Sequence, residues 1–535
     1  ILRLLGLFDR PAEADCIAAL RRPPAIPGLT DALVDLPTAE WNYALATLRE
    51  AGLLIQSSVV GRQSSVTSDQ SSVASLQSSV SSLALDAHPL IREYFAEQLA
   101  AQQPDAYRAA HRRLYEHLAA AAPERPDTLE AMMPLYHAVV HGCKAGEEEK
   151  VYNDIYFERI KRRNQYFTIK QFGAFGSDLG AIAAFFDGSW RHPSSSLSTA
   201  RQAVLLGQAA FYLRALSRLA EAVEPMQAAL DSEIQERDWE SAAINAANLS
   251  ELTLTLGKVA MAYHTAVQSV ELADRSGDTF QRMARRTKVA TALYYAGQSA
   301  KSHTAFKAAE IIQAERQHGY ALLHSLPGFQ YSMLLLAKAE AICDRKLASS
   351  KQIALSLTMC HRVRKRVEKI MGWRKLPQWD SNYNSALGIA LDHLALGHTY
   401  LLEAQLTSAS LADADLQKAE LELRLSVSLL RRAGTEHHLP RGLLALAELD
   451  RTQAVMAEKS EREALLTQAE RALDEAEQIA GRGGMVPFQV DAAVERARVA
   501  LVREDRAAAA AQLAQAQALV KTTEAPYVPY EPQWA

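Results

Sequence analysis

The chain has 535 residues, a formal net charge of −4, 48% apolar residues and 22% charged residues. This composition indicates a soluble globular protein, and a net charge so close to zero gives no overall field for a nucleic acid or an anionic membrane surface. No apolar run approaches the roughly 20 residues that a membrane helix needs, and the spacing of the four cysteines suits neither a metal site nor a disulfide framework. We therefore expect a cytoplasmic protein with buried thiols.

The first residues open directly into an amphipathic pattern. The chain begins with Ile1 and has neither the charges nor the cleavage site of a signal peptide. We expect it to be the carboxy-terminal piece of a longer polypeptide.

Residues 1–103 predict a small domain of helices and one hairpin. Helices are expected over residues 2–8, 12–21 and 38–52, and the apolar runs 53–55 and 83–85 suit two short strands. His88-Pro89 then opens another helix, because proline is favoured in the first turn. Helices followed by a hairpin predict a winged-helix domain.

A Ser-rich insert occupies residues 56–82 of this domain. The sequence Gln-Ser-Ser-Val recurs in it at a seven-residue step, starting at Gln56, Gln63, Gln70 and Gln77. Each repeat offers one valine, too little apolar surface to offset the entropy of ordering the chain. We predict a disordered, expanded wing.

Residues 104–196 predict a helical junction rich in aromatic side chains, which usually fill a core. At the other end of the chain, residues 524–535 contain Pro529 and Pro532 among tyrosines and are expected to form an extended tail.

Between these segments the chain repeats at a step of 40 residues. Leu216-Ser217, Leu256-Gly257 and Ala296-Gly297 occupy the same place between two apolar helical patterns, and 256 − 216 = 296 − 256 = 40. Such a period is typical of helix pairs stacked into a solenoid, here over residues 197–523. The pattern is least regular over residues 320–380. We place Ala260 and Ala300 at close-packed positions on the second helix of their pairs.

The same step aligns polar residues on successive first helices. Gln208, Asn248 and Lys288 are separated by 40 residues, and so are Asn245 and Arg285. Stacked repeats would bring these side chains into one stripe, and the first helices of such pairs line the concave surface. The stripe is therefore a candidate ligand groove. The alternative is an ordinary solvated helix face.

No catalytic constellation is recognisable in the sequence. It contains no phosphate-binding loop, no nucleophile elbow and no set of metal ligands at a suitable spacing, so we expect neither an enzyme nor a metal site. Two basic stretches, residues 159–163 and 361–375, lie near aromatic residues and could contact nucleic acid. Solvated helix faces explain them better, because neither domain has a basic excess.

The segment from Leu85 to Phe95, with the sequence Leu-Asp-Ala-His-Pro-Leu-Ile-Arg-Glu-Tyr-Phe, is followed by helix-pair repeats. It resembles the junction between winged helix and tetratricopeptide repeats (TPR) in bacterial STAND-type signalling NTPases. The segments 390–397, 439–444 and 481–485 look like the TPR portion of the same proteins. The resemblance implies an all-α fold, a TPR-like superhelical solenoid preceded by a small winged-helix domain.

In that family, a histidine where the winged-helix strand meets the following helix contacts the nucleotide phosphates and holds the closed state. His88 matches it by position, although Ala87 and Pro89 stand where the family has methionine and aspartate. The resemblance implies that ATP or ADP binds a domain upstream of Ile1, and that no cofactor binds this fragment.

These observations together suggest the sensor and regulatory half of a signalling NTPase. The solenoid would recognise a protein or peptide trigger, and the winged helix would relay binding to the upstream NTPase domain of the same polypeptide, which could form homo-oligomers on activation. The alternative is a transcriptional regulator whose winged helix binds DNA. Its candidate recognition helix contains Glu40, Arg49 and Glu50 and lacks a basic excess, so a nucleic-acid partner is not expected.

Overall fold

The structure, a computed structural model, describes residues 1–56, 84–342, 349–377, 379, 384–407 and 409–522. The chain divides into two compact units, Ile1–Asn164 (unit 1) and Gln165–Ala535 (unit 2). Their boundary falls inside the predicted junction of residues 104–196. The predicted disordered wing, apart from Gln56, and the predicted tail lie outside the described residues.

Unit 1 is mainly helical. Its α-helices are α1 (Leu2–Leu5), α2 (Ala14–Leu20), α3 (Thr38–Glu50), α4 (Pro89–Gln102), α5 (Pro104–Ala121), α6 (Leu129–Lys144) and α7 (Glu148–Val151), and a π-helical segment, Tyr152–Ile160, continues α7. Helices α5 and α6 pack against each other and bury Leu114, Leu118, Leu135 and Val139.

Two short strands complete unit 1. Strand β1 (Ile55–Gln56) pairs antiparallel with β2 (Leu85–Asp86), with Ile55 opposite Asp86. Ala12 extends this pairing on the other side of β2, because its backbone N–H donates to the carbonyl of Leu85 at 2.8 Å. The predicted pair of strands is therefore present, and each strand ends one residue later than expected.

Unit 2 consists of stacked helices. They are α8 (Phe167–Phe172), α9 (Phe175–Ala183), α10 (Thr199–Ala215), α11 (Leu219–Gln235), α12 (Trp239–Thr255), α13 (Val259–Ser276), α14 (Thr279–Tyr295), α15 (Ser299–Arg316), α16 (Ser325–Ile342), α17 (Ser350–Arg374), α18 (Ala386–Leu406), α19 (Ala409–Ala433), α20 (Leu439–Met456), α21 (Lys459–Gly483), α22 (Val486–Val502) and α23 (Arg506–Lys521). Helices α10 to α23 form consecutive pairs, and no strand follows β2 in the described residues. The prediction of an all-α helical repeat fold is confirmed.

The 40-residue step survives in the helix boundaries. Helices α10, α12 and α14 begin at Thr199, Trp239 and Thr279, and 239 − 199 = 279 − 239 = 40. The residue before each start, Ser198, Asp238 or Asp278, accepts a hydrogen bond from a backbone N–H of the first turn. A side-chain cap of this kind satisfies one of the free amides at a helix start. The sequence thus fixes where each repeat begins.

The turn inside each of these pairs needs a left-handed backbone. Gly257 has φ +82° and Gly297 has φ +74°, a region that glycine enters without steric cost. Ser217 occupies the same place in the first pair with φ +59°. Its hydroxyl is buried and has no hydrogen-bond partner among the described residues.

The close-packed positions on the second helices differ from the prediction. Ala260 and Ala300 are exposed. Ala222, Ala262 and Ser302, two residues further along each helix, are fully buried, and the Ser302 hydroxyl donates to the Ala290 carbonyl at 2.7 Å. The predicted repeat step was correct, but the predicted positions lie two residues too early. A shift of two residues turns a helix by more than half a turn, so these positions lie on the exposed face of the helix and not on its packed face.

The interval with the least regular sequence pattern, residues 320–380, contains the fourth helix pair. Helix α16 starts just before Pro327, where a missing N–H costs nothing, and α17 carries a complete capping box at Ser349 and Gln352. The pair packs through Phe329, Leu336 and Val363 into the same apolar cluster as α18. The solenoid is therefore continuous across this interval.

Unit 2 closes on itself. Val490 and Val494 of α22 and Ala516 of α23 lie in one apolar cluster with Val259 of α13. Helix α19 also contacts α8, and the backbones approach so closely there that a Cβ on Gly434 would lie 2.7 Å from the Gly173 carbonyl oxygen. The last helix pair thus returns to the second one, which the sequence pattern did not reveal.

The helices that the structure describes include none that is both long enough and apolar enough to cross a membrane. The side chains of Cys16, Cys143 and Cys360 are buried, as expected, and Cys343 lies outside the described residues.

Replacing Ser217 with glycine should stabilise unit 2. A serine in the left-handed region costs about 1–2 kcal/mol, and the substitution removes this cost. It also removes a buried hydroxyl that has no hydrogen-bond partner among the described residues. Together these gains exceed the entropic cost of glycine, which is about 0.5–1 kcal/mol. We expect the free energy of unfolding, measured by urea denaturation, to increase by roughly 1 kcal/mol. Gly257→Ser is the matched control and should destabilise by a similar amount; equal effects of the two substitutions would contradict this account of the turn.

Candidate functional site

The predicted polar stripe lies mostly inside the packing of unit 2. Gln208 is buried on α10, and Lys288 of α14 is nearly so, whereas Asn248 of α12 is half-buried. Asn245 and Arg285 are also buried. A stripe on adjacent helices is therefore present, but most of its members are not on an open concave face.

Internal partners occupy these side chains. The Asn245 amide donates to both carboxylate oxygens of Glu233 on the preceding helix, at 2.9 and 2.8 Å. The Arg285 guanidinium donates to the side-chain oxygen of Gln281. Burial raises the pKa of Glu233 to about 7 and lowers the pKa of Arg285 to about 10. The contact between Asn245 and Glu233 holds α12 to α11, whereas Arg285 and Gln281 are partners within α14.

Glu251 of α12 lies at the centre of the stripe. Its carboxylate is 2.9 Å from the Lys288 ammonium and 3.3 Å from the Arg214 guanidinium, so it joins α10, α12 and α14. Burial by itself would raise the pKa of Glu251, but Lys288 and Arg214 hold it well below its usual value. Glu251 is therefore ionised and bridges two cations.

A central cavity of about 310 Å³ begins beside Glu251. Helices α12, α14, α15, α16, α18, α20 and α22 contribute to it, because the closure of the solenoid brings the last pair near the second. Its walls are formed by Glu251, Leu254, Thr255, Thr291, Tyr294, Tyr295, Phe306, Phe329, Gln330, Met333, Glu340, His398, Arg441, Leu444, Ala445, Glu448, Pro487, Phe488, Asp491, Val494, Glu495 and Arg498.

One wall of the cavity carries ion pairs. Glu495 of α22 bonds to Arg451 of α20 and lies 3.1 Å from Arg498. Glu448 accepts a hydrogen bond from the Gln405 amide at 3.0 Å. Burial would raise the pKa of Glu448, but Arg451 and Arg498 lower it to about 2. Both carboxylates therefore have their counter-charges within the protein.

Two other cavity residues are available for a ligand. Arg441 lies over the Phe488 ring, 5.4 Å from its centroid, and no carboxylate of the described residues lies within 4.0 Å of its guanidinium. Burial lowers the pKa of His398, which keeps its imidazole neutral near pH 7. The cavity thus offers a ligand the N–H donors of the Arg441 guanidinium and the neutral imidazole of His398, between aromatic walls.

The two basic stretches are used mainly inside the protein. Arg159 donates to the carbonyls of Ala119, Ala122 and Pro123, and Arg162 donates to that of Pro126, all at 2.7–3.0 Å. In the second stretch, Arg364, Arg366 and Arg374 pair with Glu403, Glu310 and Asp392. These guanidinium groups tie loops and helices together, which leaves few of them for phosphates.

His88 caps helix α4. Its Nδ1 atom accepts a hydrogen bond from the backbone N–H of Leu90 at 3.3 Å, and the side chain is exposed. On the same helix, Leu90 and Tyr94 are 67% and 60% exposed, which is unusual for such large apolar groups. The local cap accounts for the position of His88, and its ring edge is still accessible to a partner.

A cluster in unit 1 was not anticipated from the sequence. The Asp15 carboxylate, the Cys16 thiol and the His117 imidazole place one potential ligand atom each within 4.8 Å of one another. Burial raises the pKa of Cys16 to about 12, and the Asp15 carboxylate is already bonded to His117 at 2.8 Å. A protonated thiol is a poor metal ligand, so the cluster is explained by its own hydrogen bond.

Comparisons with known proteins give limited information. No protein-family model matches the chain, and neither does any curated protein. Among solved structures, the chain is similar to a STAND-type signal transduction ATPase with a tetratricopeptide-repeat sensor from Pyrococcus horikoshii, with 14% sequence identity and a TM-score of 0.30. The match covers 97% of this chain and 62% of that protein. A TM-score this low does not establish a shared fold.

Neutralising Glu251 should destabilise unit 2 strongly. In Glu251→Gln, Lys288 and Arg214 lose their common counter-charge while staying buried, which typically costs about 3–5 kcal/mol. Chemical denaturation followed by circular dichroism measures the loss. Glu221→Gln breaks the exposed pair with Arg218 and should cost less than about 1 kcal/mol; comparable losses in both variants would show that Glu251 does not have the bridging role assigned to it.

Glu233 should make stability depend on pH. Its pKa is about 7 in the folded chain against a reference of 4.5, so its favourable contribution is complete below pH 4.5 and is lost as the pH rises through 7. Glu233→Gln keeps an oxygen for Asn245 and should stabilise the chain at pH 8 by on the order of 2 kcal/mol, with little effect at pH 4. The control is the exposed Glu236→Gln, expected to have no such pH dependence; a pH-independent effect of Glu233→Gln would contradict the assignment.

Proposed function

We propose that this chain is the sensory and regulatory part of a STAND-type signalling NTPase. In this proposal unit 2 is a TPR-like sensor that recognises a protein or peptide trigger, and unit 1 relays binding to a nucleotide-binding domain elsewhere in the polypeptide. ATP or ADP would bind that domain, and activation would favour homo-oligomers. We propose no catalytic activity for the chain itself.

The observation that carries the proposal is the closure of unit 2. Val490 and Val494 of α22 pack with Val259 of α13, so the second and the last helix pairs are in contact although more than 200 residues separate them in sequence. The cluster is small and joins helix pairs that are far apart in sequence; α8 and α19 make a further contact. In this proposal the interface has two arrangements, packed and separated, as a switch requires.

A trigger would act by shifting the balance between these arrangements. It must bind the open form more tightly than the closed form, since a ligand with equal affinity for both shifts nothing. A helix-pair solenoid suits this role, because opening exposes an extended inner surface large enough for a peptide segment or a protein loop.

For unit 1 we propose a winged-helix relay over residues 1–103. The element order supports it: three helices, two paired strands and then α4. The exposed ring of His88 and the exposed side chains of Leu90 and Tyr94 lie together at the start of α4, where a neighbouring domain could cover them. In this proposal His88 senses the nucleotide state of that domain.

The alternative, a DNA-binding regulator, has less support. On α3, Glu40 and Glu50 are exposed beside Arg49, and Tyr43 is 76% exposed, so the helix lacks the cationic surface that phosphates require. We therefore do not propose a nucleic-acid partner.

The proposal is tested by opening the closure. In the intact polypeptide, Val490→Asp places a charge in the contact between α22 and α13 and should raise basal ATP hydrolysis without trigger, because burying an unpaired carboxylate is costly. Hydrogen exchange of this chain should show faster exchange in α22 and α23. Val455→Asp, at a valine that is 56% exposed, is the control and should change neither measurement.

An intact polypeptide without an NTPase domain would overturn the proposal. So would unchanged ATP hydrolysis in a Val490→Asp protein whose exchange shows that α22 and α23 have separated from α13.

A further inference from the structure

The central cavity of unit 2 has the dimensions of a small-molecule site. Its volume of about 310 Å³ lies at the lower end of the range for ligand pockets and is too small for a folded partner or a long peptide. We propose that this cavity binds a small organic acid with one carboxylate and an apolar body of about the size of a phenyl ring. This site is additional to the trigger surface of the proposed function, and binding there does not depend on it; the effect on closure described below rests on the proposed function.

Arg441 is the residue that would hold the carboxylate. The other cations in or beside the cavity, Lys288, Arg214, Arg451 and Arg498, each contact a carboxylate of the protein. Arg441 makes no such contact within the described residues, and its guanidinium carbon lies 5.4 Å from the centroid of the Phe488 ring. A planar guanidinium with free donors matches the two oxygens of a carboxylate.

The walls around Arg441 favour an apolar, ring-shaped body. Five aromatic residues line the cavity, and they are contributed by four different helices: Tyr294, Tyr295, Phe306, Phe329 and Phe488. Aromatic rings contact one another favourably edge to face or offset, and each buries a large apolar area. A ligand with a phenyl-sized group would replace water against these rings.

The fixed charges limit the ligand to one negative charge. Glu340 and Asp491 also line the cavity, on α16 and α22, and both have interactions of their own within the protein. Glu448 pairs with Arg451, and Glu495 pairs with Arg451 and Arg498. A second anionic group on the ligand would face these carboxylates without a free cation and would be repelled.

Binding would stabilise the closed form of unit 2. Arg441 and Phe488 belong to the last helix pairs, whereas Tyr294 and Tyr295 belong to α14, near the beginning of the solenoid. A ligand between them contacts both sides of the closure and has its full set of partners only when unit 2 is closed. The organic acid would therefore act in the opposite direction to an opening trigger.

The test uses the full chain and four probes. Hydrocinnamate carries one carboxylate on a phenyl-bearing chain, hydrocinnamamide is its neutral analogue, benzylmalonate adds a second carboxylate, and the peptide Ala-Ala-Ala-Phe presents the same group at the end of a longer chain. Isothermal titration measures affinity, and thermal unfolding measures stabilisation. We expect hydrocinnamate to bind and to raise the unfolding midpoint, and the other three to bind at least about tenfold more weakly.

Substitution of Arg441 identifies the site. Arg441→Ala should weaken hydrocinnamate binding by about 10- to 100-fold, the usual loss for charge-assisted hydrogen bonds, and Arg441→Lys should give an intermediate loss. Folding should be intact, because Arg441 has no ion pair to lose among the residues that the structure describes. Arg471→Ala, at an exposed arginine on α21, is the matched control and should bind like the unmodified chain.

Several results would overturn the inference: no binding of hydrocinnamate at millimolar concentration, equal binding of acid and amide, an unchanged affinity in Arg441→Ala, or tighter binding of the peptide than of the free acid. None of these results would affect the proposed signalling role, which is tested by ATP hydrolysis in Val490→Asp. Conversely, acid binding at Arg441 with no effect of opening on ATP hydrolysis would support the inference and overturn the proposed function.

Discussion

A charge buried between two helices needs its counter-charge on the next helix, and this requirement shapes the interior of unit 2. Glu251 of α12 takes its partners from α10 and α14, and Glu495 of α22 takes one from α20. Because burying an ion costs several kcal/mol unless it is paired, these ion pairs fix α12 in position and rotation relative to α10 and α14, and α22 relative to α20. Apolar packing supplies most of the stability, while these pairs fix the register of the stack.

The same ion pairing explains which cation of the cavity is available to a ligand. The buried carboxylates pair with Lys288, Arg214, Arg451 and Arg498. Arg441 also lines the cavity, and it contacts no carboxylate in the described part of the chain. The ring beneath it, Phe488, belongs to α22, which also forms the closure, so the site and the closure share this helix. A ligand there and a trigger that separates α22 from α13 would act on one equilibrium from opposite sides.

The candidate groove was only partly predictable. The 40-residue step correctly placed Gln208, Asn248 and Lys288 on successive first helices, but it could not tell a solvated face from a buried polar one. Glu233 and Glu251, the carboxylates that bond Asn245 and Lys288, carried no signal in the sequence, because neither belongs to the aligned set. Likewise, nothing in the sequence around Arg441 distinguishes it from the arginines that form ion pairs in the structure.

The sequence by itself determined the helical repeat, its step and its turns. These features depend on local chemistry: capping side chains such as Asp238 and Asp278, glycines with a left-handed backbone such as Gly257, and apolar residues at helical spacing. Only the tertiary structure decided that the solenoid closes and which side chains line its cavity. Curvature accumulates from small rotations between successive pairs, each set by side-chain packing across the whole interface, so the meeting of α22 with α13 has no local signature in the sequence.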